Sequence, residues 1–166
     1  WSLRRALSAA TADGLGLLGF TALCAIPLVI GVSSALAGEQ WYSTLDLPSF
    51  APPAWSFGVA WTLTGAALAW STWLVWRRDD ACDHLRHSAL AAFGALLVFG
   101  SLWAPLFFAS HEPDLGLLAL AVHWLCALGV ISAYAPVSGW AAVANVPLFA
   151  WVSYLVALDV AVLLRS

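Results

Sequence analysis

The chain has 166 residues, of which 63% are hydrophobic and only 9% charged, and its formal net charge is −3. Soluble domains carry roughly 25% charged residues, and six basic with nine acidic side chains are too few to clothe a fold surrounded by water. Lipid is therefore expected to solvate much of the exterior. That excludes a soluble globular enzyme and a disordered chain, and the lack of a basic stripe excludes a nucleic-acid binder.

All six basic residues are Arg. Without Lys there is no Schiff-base chemistry and no P-loop. No Cys-x-x-Cys or His-Glu-x-x-His is present, and no group of ligating residues has metal-site spacing. Cys24 and Cys126 lie in apolar runs and Cys82 in a charged segment; all three read as reduced and structural. No Met occurs, even at position 1, so the sequence is expected to begin inside a longer chain.

A membrane helix needs about 20 apolar residues to cross about 30 Å of hydrocarbon. Helix one is expected over the uncharged run Gly14 to Gly38, with Asp13 as its N-cap, Pro27 as a kink and Glu39 beyond its end. An ordered loop spans 39–53. Helix two runs from about Ala54, set by Pro52-Pro53, to Trp76 before Arg77-Arg78. Helix three fits Ser88 to Ala109. The uncharged stretch Leu115 to Leu158 is too long for one crossing. It breaks at Ala135-Pro136-Val137-Ser138-Gly139, giving helix four, Leu115 to Tyr134, and helix five, about Ala142 to Leu164. The expected fold is an all-α, multi-pass bundle of five transmembrane helices in one domain. Arg4, Arg5, Arg77, Arg78 and Arg86 fall on one side of these spans and place the N-terminus in the cytoplasm; Arg165 alone opposes this.

Eleven Trp residues stand out. Trp1, Trp70, Trp73, Trp76 and Trp140 sit at span boundaries and read as an interfacial belt. Trp61, Trp103, Trp124 and Trp151 fall inside spans, where an indole N–H finds no water. Gly100, Trp103 and Phe107 share one helix face, as do Trp151, Leu155, Leu158 and Asp159. If those faces converge they enclose an aromatic cavity with indole donors and one carboxyl, suited to a flat, mostly apolar ligand. Ordinary aromatic packing between helices explains the spacing equally well. The segment from Trp41 to Trp55 carries prolines at 48, 52 and 53 and several aromatic rings. It is expected to be a stiff lid over the outer mouth, with Trp41, Tyr42 and Phe50 closing it, or else a loop lying on the interface.

The run Trp41-Tyr42-x-x-Leu45-x-x-Pro48-x-Phe50-x-Pro52-Pro53-x-Trp55-x-Phe57-Gly58-x-x-Trp61-Thr62-Leu63 resembles the signature of the tryptophan-rich sensory protein family, also called the translocator protein or peripheral-type benzodiazepine receptor family. Leu102-Trp103-x-Pro105-Leu106-Phe107-Phe108 and Pro147-x-x-x-Trp151-Val152-Ser153 are similar to two further family motifs. The resemblance covers Trp41 to about Asp159. It implies a five-helix bundle, a homodimer, and a cavity beneath the first loop that takes porphyrins or other tetrapyrroles from membrane lipid or solvent. It also implies that Trp41, Trp61 and Trp151 are cavity residues, the last two being those linked in some bacterial members to light-dependent porphyrin breakdown. The chain departs from the family at Leu47 (usually basic), Thr64 (Tyr), Gly100 and Asp159 (both Asn), and at Ala157, where the Tyr of the sterol motif belongs.

The function expected is a membrane receptor or binding protein for flat hydrophobic ligands, most plainly porphyrins. Its ligand residues are Trp41, Tyr42, Phe50, Trp61, Gly100, Trp103, Phe107, Trp151 and Asp159. Two alternatives stand beside it: a porphyrin-degrading enzyme using Trp61 and Trp151, and a carrier or scaffold without a specific ligand. No cofactor is required, though a porphyrin or haem would be a bound ligand. Asp159 reads as a helix–helix hydrogen-bonding group or a contact to a ligand's polar edge. His123 reads as an interhelical hydrogen-bonding group or, less readily, a haem ligand. Ala91 and Ala95 are the chosen dimer seam.

Overall fold

The computed structural model describes residues 2–165, the side chains of 2–10 and of residue 54 aside; Trp1 of the interfacial belt lies outside the described residues. The long first helix, α1, runs Ser2–Ala37 and is continuous through Pro27. It starts well before the expected boundary because the stretch ahead of Asp13 is rich in Ala, Leu and Arg, all good helix formers. Asp13 is therefore an interior residue and not an N-cap. Its carboxylate pairs with Arg77 at 3.3 Å, and its carbonyl accepts the Trp73 indole N–H at 2.9 Å.

α1 ends at Gly38, where an added Cβ would strike the backbone carbonyl of Phe108. One helical turn, α2 (Glu39–Tyr42), follows, and the rest of the loop to Pro53 is irregular but tied down. α3 spans Ala54–Trp76. α4 spans Asp83–Gly100 and begins earlier than expected. Asp83 suits the positive end of the helix and holds Arg86 at 2.8 Å.

The third helical unit is not one rod. The chain turns after Gly100 and re-enters a π-helical turn, Pro105–Ala109. Ser110 N–H donates five residues back to the Pro105 carbonyl at 2.9 Å. The widened turn leaves consecutive Phe107 and Phe108 both buried. α5 is Pro113–Tyr134, and the expected break follows it. The fifth unit also divides, into α6 (Gly139–Val143), capped by Ser138, and α7 (Val146–Leu163), with Pro147 in its first turn. Between them the Asn145 amide donates to the Ala141 carbonyl and to Ser71 Oγ, each at 2.8 Å.

α1 lies against α3 and is flanked by the π turn and α4, while α5 packs between α4 and α7. Buried polar bonds tie the helices at set points: Thr72 to Tyr134 at 2.6 Å, Trp124 to Ser153 at 2.8 Å and Trp103 to Asp159 at 2.9 Å. In hydrocarbon such groups need partners, so each bond fixes register as well as proximity. α1 leaves Leu15, Leu18, Ile26, Val29 and Leu36 exposed, a face that suits lipid. Among the described residues four stretches are long and apolar enough to cross a membrane: 11–37, 83–109, 113–134 and 139–163. α3 has the length and carries no charge but is not among these four. The protein is an all-helical, multi-pass integral membrane protein.

Candidate functional site

A cavity of about 320 Å³ lies between α1, α3, α4 and the π turn, within the size range of small-molecule sites. α3 supplies Phe57, Trp61 and Leu68, the α4 end supplies Leu96 and Gly100, the turn after it Trp103, the π turn Phe108, and α5 His123. α1 closes the remaining side with Cys24, Leu28, Gly31 and Ala35. Glu39 and Trp55, both exposed, also line it.

The three expected indoles converge. Trp61 stands 6.2 Å from Trp103 and 6.4 Å from Trp151, the latter edge to face. Trp61 and Trp103 line the cavity, as do Gly100 and Tyr42. The other expected residues stand outside the wall. Trp151 packs behind Phe57 at 5.9 Å. Phe107 stacks behind Trp103 at 5.7 Å. Asp159 is fully buried beneath Trp103, whose N–H it accepts, so its carboxyl serves helix contact and does not face the space. Trp124 does not join the cluster: its indole donates to Ser153 and its ring meets Phe149 at 5.0 Å, between α5 and α7.

The loop covers this cluster and is clipped to α7. The Tyr154 hydroxyl donates to the Phe50 carbonyl at 2.7 Å, and Phe50 packs on the Tyr154 ring while remaining half exposed. Arg165 donates to the Leu47 carbonyl at 3.3 Å and pairs with Asp46 at 3.8 Å. Trp41 stacks on His111 at 4.8 Å and caps Phe107. His111 has a φ of 57°, a left-handed conformation that non-glycine residues seldom hold. The Tyr42 phenol, at the loop's start, is pushed above its ordinary range by burial first, then by Tyr154 and Asp159.

Tyr42 Oη and both nitrogens of His123, on cavity-lining residues, and Trp151 Nε1 and Asp159 Oδ1, behind the wall, are buried without hydrogen bonds. Among the described residues no three His, Cys, Asp or Glu gather to hold a metal ion, and the three cysteines are unpaired. Sequence reasoning missed Phe57, Phe108 and the α1 wall. Phe57 sits inside the loop motif, whereas α1 is apolar all round and marks no face.

The sequence profile of the TspO/MBR family matches residues 5–165. The chain belongs to the TspO/MBR family. It is 31% identical to the tryptophan-rich sensory protein of Cereibacter sphaeroides over 81% of this chain and 80% of that protein. It is 27% identical to the Homo sapiens translocator protein over 86% and 85% of the two chains. It is 29% identical to protein CrtK of Rhodobacter capsulatus over 74% and 76%.

Proposed function

We propose that this TspO/MBR protein binds flat hydrophobic ligands, tetrapyrroles foremost, in the cavity beneath its first loop, and senses, stores or passes them on. The observation that supports this reading is the wall itself: Phe57, Trp61 and Trp103 line one mostly apolar space. Aromatic faces suit a planar π-system, and stacked or edge-on ring contacts add about 0.5–1.5 kcal/mol each beyond area burial. In this reading α3 crosses the membrane as a fifth span, the N-terminus is cytoplasmic, and two copies pair through Ala91 and Ala95 of α4.

Titration of metal-free protoporphyrin against indole emission tests the binding. Saturable quenching is expected for the native chain and is reduced in the Trp61→Phe/Trp151→Phe variant. Native quenching no greater than the variant's leaves a scaffold without this ligand.

A further inference from the structure

The wide turn at 105–109 is the least ordinary backbone in the fold. Such turns are rare, occur singly and gather at functional sites. Here the Ser110 N–H, and not that of Ala109, reaches the Pro105 carbonyl, at 2.9 Å. The turn therefore holds one residue more than a regular helical turn needs. Pro105 has no N–H, so rewinding the turn breaks no amide bond at its first residue. Just downstream, exposed His111 holds its φ at 57°, a region disfavoured for any residue with a Cβ. Closing the turn by one residue would hand that residue to the connection at 110–112, which then would not need the left-handed kink.

The turn touches both the cavity and the loop that covers it. Phe108 lines the cavity, whereas Phe107 stacks behind Trp103. The first aromatic residues of the loop are seated on the same two rings. Trp41 meets Phe107 at 5.5 Å, and Tyr42 meets Phe108 at 5.5 Å. Trp41 also stacks on the His111 ring at 4.8 Å. The Phe108 carbonyl lies against Gly38, where α1 gives way to the loop. A regular helix turns by about 100° per residue. Closing the turn would therefore swing Phe108 off the wall, bring Phe107 toward the face of Gly100 and Trp103, and shift every one of these seats together.

We propose that residues 105–109 are a register switch between the cavity wall and the covering loop. In the wide form Phe108 faces the cavity and the loop is seated. In the closed form the Ala109 N–H replaces that of Ser110 at the Pro105 carbonyl, Phe108 leaves the wall, and the loop loses its seats. A ligand in contact with Trp103 and Phe108 binds the wide form better, and by that difference it holds the loop down. This coupling to a ligand rests on the porphyrin reading of the cavity; the switch itself does not.

The test uses the full chain in lipid nanodiscs and two substitutions at His111, whose exposure keeps the fold intact. His111→Asn and His111→Val both remove the ring that stacks on Trp41. They differ in that Asn tolerates the left-handed region and β-branched Val does not. Hydrogen exchange is followed at the Ser110 amide by NMR and over residues 43–53 by mass spectrometry. Exchange at both places should be about fivefold faster or more in His111→Val than in His111→Asn. Equal exchange in the two variants, or a loop that loosens while the Ser110 amide stays protected, overturns the switch. Metal-free protoporphyrin then tests the coupling. It should slow exchange over 43–53 in His111→Val, and bind that variant about fivefold more weakly than His111→Asn. Equal binding to both variants overturns the coupling. If the native chain binds no protoporphyrin while the contrast between Val and Asn persists, the porphyrin reading falls and the switch stands.

Discussion

The Trp103–Asp159 hydrogen bond is the most consequential buried contact in the bundle. It joins the turn before the π segment to α7 at 2.9 Å, and the two residues are 3% and 0% exposed. Asp159 Oδ1 has no partner, so this bond alone satisfies the carboxyl among the described residues. Trp103→Phe keeps much of the ring stack and deletes the donor. Double-mutant cycles across membrane helices average about 0.6 kcal/mol and reach about 1.7; a fully buried pair with a carboxyl acceptor belongs at the upper end. Adding lost packing, Trp103→Phe should destabilise by about 2–3 kcal/mol. Asp159→Asn, which retains an acceptor, should stay within about 1 kcal/mol of the native chain. Reversible unfolding in bicelles of Trp103→Phe, Asp159→Leu and the double variant gives the coupling directly. A value of about 1–1.7 kcal/mol is expected. Strict additivity would refute the claim that this bond holds α7 to the cavity wall.

Gly100→Ala should destabilise by about 1–3 kcal/mol in the same assay, because the new methyl displaces His123. Gly38→Ala should be worse, since it meets the Phe108 backbone, which cannot rotate away as a side chain can. Tyr154→Phe, which removes the clip at the Phe50 carbonyl, should speed hydrogen exchange in residues 43–53 while changing global stability by less than about 1.5 kcal/mol. The Asp13–Arg77 pair is partly exposed at 39% and 42%, so Asp13→Asn should change stability by less than about 1 kcal/mol, an effect that salt suppresses.

Much of the site was legible from physical need alone. An indole inside hydrocarbon must find a partner or a cavity, and that requirement singled out Trp61, Trp103 and Trp151, which the fold brings together. The same rule could not separate Trp124, because its partner, Ser153, sits on another helix. The break at residues 135–139 was legible from Pro136 and Gly139. The interruption after Gly100 was not, because apolar residues continue through it and only the Pro105 carbonyl's pairing with Ser110 reveals the wider turn. Regular helical spacing put Phe107 on the cavity face with Gly100 and Trp103; the π turn puts Phe108 on the cavity and Phe107 behind Trp103. The fit of His123 to Gly100 joins positions 23 residues apart on facing helices and has no local signature.

The cavity's role as the ligand site can be probed by filling it. Gly65 lines the space, and nothing lies within 4 Å of where its Cβ would be; the same is true of Gly129, which lies on α5 away from the cavity. Both Gly65→Leu and Gly129→Leu should therefore fold. Protoporphyrin titration of the two variants is expected to show binding lost in Gly65→Leu and native in Gly129→Leu. Native affinity in a folded Gly65→Leu would contradict a ligand seated between α1, α3 and Trp103.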